Sequence, residues 1–377
     1  MKASQTKKQN WFAKAFNTSV LEKSRLAWVD YLRGIAIVLV VYFHVLLGIE
    51  AAGIQVPVYL SDANLIFHSF RMPLFFILSG VFISGSLGKK TFKQIALIKF
   101  ENLMYPYFIW AFIQVTIQII LSNYTNANRS LIDYTYILYQ PKRLDQFWYL
   151  PALFTTTIIY LFIKTKLRPP AWAQICFGIV TYFGYLYLQQ ISMLTNWMAF
   201  YIFFAIGDSI SKFFFKDATQ HFLKRPITLL LALPVFVAIQ LFYVAHLDYY
   251  IDHNLGHVSF LFIALFGVFT MLLIAFRLQT WNILRFLRVL GYHSLYIYVM
   301  HLMVVAFIRV LLTKFLSVTN VYLLLFTCIF FGVTIPVVVY NLFIKDNIAW
   351  FLFTYKKTKK GKTVNAEIQP SAASIAS

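Results

Sequence analysis

Residues 28–50 read WVDYLRGIAIVLVVYFHVLLGIE. The run is long and apolar enough to cross a bilayer, which takes about 20 helical residues. Yet it carries Asp30, Arg33 and His44. Arg33 and His44 stand eleven residues apart. At about 100° per residue they return to within roughly 20° of one helix face, with a rise of about 16 Å. Asp30 falls within roughly 40° of that face. An ionisable group near the centre of a membrane helix costs at least ~2.5 kcal/mol on insertion scales. Three on one stripe are therefore expected to line a polar path through the membrane rather than to face lipid.

The rest of the chain agrees with a membrane setting. It has 377 residues, of which 60% are hydrophobic and only 12% charged, against about 25% charged in soluble domains. This composition predicts an all-α, polytopic integral membrane protein. A net charge of +20 would suggest nucleic acid in a soluble protein. Here the basic residues fall in short loops between apolar runs, so they read as orientation signals and no nucleic-acid partner is expected. Cys176 and Cys328 both lie inside apolar runs and read as packing residues, with no disulfide framework and no metal spacing. The first 25 residues are polar and basic, without a signal-peptide core. Trp11, Phe12, Ala15 and Phe16 suggest a short interfacial helix, with Lys7, Lys8 and Lys14 near anionic headgroups.

Hydropathy places ten spans near 28–48, 65–86, 101–121, 147–164, 171–189, 195–211, 227–246, 258–276, 289–312 and 321–343. The sixth is the weakest, being short and ending at Gly207 and Asp208. Alternate loops differ in charge. One set holds Lys89/Lys90/Lys93, Lys164/Lys166/Arg168, Lys212/Lys216/Lys224/Arg225 and Arg277/Arg285/Arg288, together with both termini. The other holds Glu50, Asp62, the mixed segment 122–146, the stub at Gln189–Gln190 and the loop from His246 to His257. The positive-inside rule puts both termini in the cytoplasm, with Arg33 toward that face and His44 toward the other. The expected organisation is a basic tail over 1–25, a membrane domain over 26–345 and a basic, then Ser/Ala-rich tail over 346–377. No inverted repeat is evident.

Several blocks occur in a fixed order: LRGIAIVLVVYFHV with its Arg-x10-His pair, SFRMPLFFILSGVFI, FWYLPALF at 147–154, YIFFAIGD at 201–208 and SLYIYVMH at 294–301. Together, over about residues 26–345, they resemble the integral-membrane acyltransferase family 3, closest to its fucose 4-O-acetylase-like branch. The resemblance implies an O-acyltransferase of the plasma membrane, bacterial in type. It would move an acyl group, usually acetyl, from cytoplasmic acyl-CoA to a hydroxyl of an extracytoplasmic or lipid-linked glycan. Acetyl-CoA would be a co-substrate, with no bound cofactor and no metal. The resemblance makes His44 the essential catalytic residue and Arg33 its donor-engaging partner. Two departures stand out. Arg71 occupies the position before Met-Pro where relatives often carry His, with His68 three residues earlier. Glu101 and Asn102 replace basic residues after Lys99.

Each residue also has a plainer reading. His44 is a general base or nucleophile, or else a core histidine bonded to a neighbouring helix. Arg33 clamps a CoA phosphate or the thioester region, or else snorkels; Asp30 is expected to hold Arg33 in place. Lys89, Lys90, Lys93 and Lys99 form a donor rim, or else ordinary positive-inside charge. Arg71 binds the acceptor or an oxyanion, or else satisfies carbonyls freed by Pro73; His68 partly substitutes for the missing His. Trp148 stacks on a sugar or belongs to the interfacial belt. Ser79–Gly80 suit helix packing better than catalysis. His301 belongs either to the acceptor site or to a buried hydrogen bond. His246, Asp248, Asp252, His253 and His257 are too irregularly spaced for zinc. The alternative class is a multi-pass transporter or flippase, and a third is a receptor without chemistry.

Overall fold

The computed structural model describes residues 11–22, 26–122, 129–188, 191–252, 254–345 and 347–355. The basic residues 1–10, Gln189–Gln190, His253 and the tail from 356 lie outside them. Among the described residues every regular element is helical. In chain order these are α1 (Trp11–Phe16), α2 (Ala27–Ala51), α3 (Val58–Leu87), α4 (Phe92–Ile120), α5 (Asp133–Tyr139), α6 (Asp145–Leu167), α7 (Ala171–Tyr187) and α8 (Ser192–Phe214). There follow α9 (Asp217–Lys224), α10 (Pro226–Ala245), α11 (Leu247–Asp252), α12 (Leu255–Trp281), α13 (Phe286–Tyr292), α14 (Ser294–Phe315) and α15 (Val321–Ile344).

Among the described residues, nine helices are long and apolar enough to cross a membrane: α2, α3, α4, α6, α8, α10, α12, α14 and α15. At the fifth expected span stands α7, with 17 residues, or about 26 Å at 1.5 Å per residue. Its neighbours show what it does. The Lys142 amide just before α6 donates to Ser192 Oγ at the start of α8, 3.1 Å away. At the other end of the two helices, Lys164 pairs with Asp208. Helices α6 and α8 therefore run parallel, and α7 carries the chain back across the same thickness. The ends of the chain meet likewise: Asn341 Nδ2 donates to the Ala15 carbonyl at 3.0 Å, placing α1 and the end of α15 at one face of the bundle. The predicted short helix forms as α1, with Trp11 exposed and Ala15 buried.

Helix α8 outruns its expected boundaries because Asp208 is not a terminator. Its carboxylate is buried and accepts from Tyr160 Oη and Ser84 Oγ, each at 2.5 Å, as well as from Lys164. The cluster ties α3, α6 and α8 together at one end. Removing one partner of a buried pair leaves the other charge uncompensated. Asp208→Ala is therefore expected to cost about 3 kcal/mol, the low end for such pairs because Lys164 is partly exposed. It would be read as a drop in the thermal midpoint of the reconstituted protein, with Asn at the same position losing less.

Helix α2 sits at the centre, touched by α3, α12, α13, α14 and α15. Glycines permit the closest approaches. A Cβ on Gly34 would stand 2.0 Å from the Leu287 carbonyl oxygen, and one on Gly291 would stand 1.8 Å from that of Asp30. Gly80 and Gly207 do the same for α3 against α8. On the outside, α10 presents Leu230, Leu231 and Leu241, as a lipid-facing helix should. The reading of both cysteines as packing residues holds for Cys328, which is buried, but not for Cys176, which is exposed on α7. An apolar run does not reveal which of its faces meets lipid.

Candidate active site

A cavity of about 150 Å³ opens between α2, α3, α4, α6 and α14. Its walls include Ile37, Phe75, Leu78, Tyr149, Leu153 and Tyr298. Its polar lining is Arg33 from α2, Lys90 from the α3–α4 turn, Lys99 and Asn102 from α4, and Ser79, Ser86 and Ser294. None of the described residues lining it is acidic. Arg33 and Lys99 are close enough for their charges to act on each other. Like charges gathered in a partly dry space cost free energy unless an anion compensates them.

Local sequence explains how these cations converge. Thr91 caps the start of α4 through a reciprocal pair: the Gln94 amide donates to Thr91 Oγ1 at 3.4 Å, and the Thr91 amide donates to Gln94 Oε1 at 2.9 Å. This fixes Lys90 at the mouth, one residue ahead of the cap. Farther along, α4 widens by one π turn over Phe100–Met104, just ahead of Pro106, which has no amide to donate. Glu101 accepts from Thr354 Oγ1 at 2.8 Å and does not line the cavity, whereas Asn102 does. Of the expected donor residues, the fold thus brings Arg33, Lys90 and Lys99 to one cavity. Lys89 is exposed and lies outside it. Asp30 is fully buried where α2 crosses α13, also outside the lining.

Farther along α2, His44 meets His301 of α14. His301 Nε2 lies 3.1 Å from His44 Nδ1, and the ring centroids are 4.9 Å apart. His44 Nδ1 also lies 2.9 Å from the Val40 carbonyl. Arg71 approaches from α3. Its Nη1 donates to the Leu39 carbonyl at 3.1 Å and to Asn64 Oδ1 at 3.4 Å, and its guanidinium lies over the Phe43 ring at 4.6 Å. Arg71 therefore bonds a carbonyl of α2, not those freed by Pro73 in α3, and its charge acts on both His44 and His68.

The cavity and the histidine pair are separate. Ile37 is the α2 residue of the lining nearest to His44; seven residues part the two, about 10 Å along the axis. Aromatic rings of the cavity wall lead toward the pair. Tyr149 packs against Phe75 at 5.5 Å and against Tyr298 at 5.4 Å. Tyr298 in turn lies 6.2 Å from the His301 ring. Tyr149 and Tyr298 were not singled out in the sequence, because an aromatic residue in an aromatic-rich span carries no signal of its own.

The remaining candidates fall elsewhere. His301, weighed as an acceptor contact, has no exposed surface and is engaged with His44 and its own helix. Trp148 is half-buried, with one face of its ring stacked on Phe200 at 5.5 Å. His68 is exposed, one turn before Arg71. Ser79 donates to the Phe75 carbonyl at 2.9 Å. His246 bonds the Phe242 carbonyl at 3.0 Å and stacks on its ring.

No curated protein and no solved structure matched the chain. A family model described as an acyltransferase domain matches residues 26–341. That range holds α2 with both its basic and its imidazole residues, the cationic cavity and the His44–His301 pair, and it spans most of the sequence: the chain belongs to acyltransferase family 3.

Proposed function

We propose that this membrane-bound acyltransferase moves an acetyl group from cytoplasmic acetyl-CoA to a hydroxyl of a glycan, free or lipid-linked, at the opposite face of the plasma membrane. The observation that carries this reading is the acid-free cavity lined by Arg33, Lys90 and Lys99, of which Arg33 stands on the same central helix as His44. Phosphorylated donors are anions, and Arg and Lys are the side chains that hold them. The cavity's size suits the narrow acyl-thioester end of the donor, with the rest along the basic rim. The charge distribution of the loops supports a cytoplasmic position for that rim and for both termini.

In this reading His44 takes the proton from the acceptor hydroxyl as its oxygen attacks the thioester carbonyl. A C–O bond forms, the C–S bond breaks, and the proton leaves with the CoA thiol. Arg71, beside His44, is placed to meet negative charge on the acceptor or on the developing oxyanion.

The test is donor binding by the purified chain in lipid nanodiscs. Titrating acetyl-CoA should give saturable binding that weakens with salt. Arg33→Gln and Lys99→Gln should each lose about tenfold in affinity, in line with about 1.5 kcal/mol for a hydrogen bond to a charged group. Thioester consumption that depends on membranes bearing the acceptor separates this reading from a transporter. A protein that neither binds nor consumes acetyl-CoA would remove it.

A further inference from the structure

We infer that His301 is a positioning residue: it fixes His44 in the Nδ1–H tautomer, leaving the Nε2 lone pair as the atom that accepts a proton. The catalytic part of this inference rests on the function proposed above; the tautomer does not.

The argument is one of donors and acceptors. His301 Nδ1 lies 2.7 Å from the Tyr298 carbonyl and 3.0 Å from that of Ile297. A carbonyl oxygen only accepts, so His301 Nδ1 carries a hydrogen. The ring is fully buried, and a buried imidazole without a carboxylate partner is neutral. Its Nε2 is then a bare acceptor. That acceptor faces His44 Nδ1 at 3.1 Å, and the Val40 carbonyl faces the same nitrogen at 2.9 Å. Two acceptors converge on one atom, so His44 Nδ1 must be the N–H, and its Nε2 has none.

Comparison within the chain isolates the contribution of His301. His246 and His293 each place Nδ1 against the carbonyl four residues earlier, at 3.0 and 2.8 Å. That contact is available to any helical histidine. Neither has a second ring nitrogen aimed at the same Nδ1, as His44 does. When His44 Nε2 takes a proton, the Nδ1–H becomes the donor of an imidazolium, and the His301 lone pair is the group that stabilises it. The arrangement has the logic of a base held by an orienting partner, with an imidazole in the partner's place. Since His301 is 257 residues from His44 in sequence, the pair also depends on α2 and α14 being correctly docked.

Nitrogen-15 solid-state NMR of the full chain in lipid, labelled at histidine, reads the tautomer directly. His44 is assigned by difference from His44→Ala. The wild-type protein should show a protonated Nδ1 and a bare Nε2 at His44. His301→Leu should move part of the population to Nε2–H. In membranes bearing the acceptor, the same variant should lower kcat for acetyl transfer roughly 100-fold with KM for acetyl-CoA unchanged. His301→Gln, whose Oε1 accepts where the imidazole did, should stay within about tenfold of wild type. A wild-type His44 carrying its hydrogen on Nε2 overturns the inference outright. So does an unchanged tautomer in His301→Leu, or equal loss in the Leu and Gln variants. Full glycan acetylation in His44→Ala would instead sink the proposed function and leave the tautomer result standing.

Discussion

His44→Ala is expected to abolish acyl transfer while the chain still inserts and folds. The side chain is half-buried on the central helix, bonded to His301 and flanked by Arg71 and Phe43. Trimming it to Ala removes one hydrogen-bonded ring without leaving an unpaired charge. The stability cost should resemble that of an ordinary core truncation, about 2 kcal/mol. The catalytic cost is larger: a positioned general base contributes on the order of 10²–10⁴ in rate. Mass spectrometry of surface glycans from cells expressing equal membrane amounts of each form would measure it. Undiminished acetylation in the variant would remove His44 from the chemistry.

Gly291→Ala should be the most damaging single-methyl change in the molecule. The new Cβ would fall 1.8 Å from the Asp30 carbonyl oxygen and 2.9 Å from the Gly34 amide nitrogen. Both are backbone atoms of α2, so no side-chain rotation relieves the clash. Helix α13 must withdraw, and Tyr292 and Ser294, which line the cavity, must move with it. Overpacking a tight core costs about 1–3 kcal/mol; against rigid backbone of α2 the upper end is expected. Thermal unfolding of the reconstituted protein would register the loss, together with weakened acetyl-CoA binding in whatever fraction remains folded. Gly88→Ala is the matched control, because a Cβ there comes no closer than 3.9 Å to any neighbour.

The sequence carried the helical class and the central stripe for a simple reason. Hydropathy and helical period are local properties, and Arg33 and His44 share one helix. The cationic rim was half legible: Lys90 and Lys99 read the same as Lys89 and Lys93, and only folding turns two of the four inward. Asp208 looked like a helix end because its partners Tyr160, Ser84 and Lys164 lie 44 or more residues away. The apolar run at 171–189 read as an ordinary span, yet its helix has only 17 residues, and its course is fixed by the parallel neighbours around it. His301 stood in a motif block, but its partner could not be named from spacing, since a hydrogen bond between α2 and α14 leaves no periodic trace.

The aromatic layer of Phe75, Tyr149 and Tyr298 has a consequence for the cell as well as for the reaction. A bore open at both ends, wet and lined with ionisable groups, would let protons and small ions run down their gradients. Rings packed tilted and edge-on between the cavity and His301 are placed to keep such a bore shut. In the function proposed above, an acyl group on its way to the acceptor would part these rings one cargo at a time, as an airlock does.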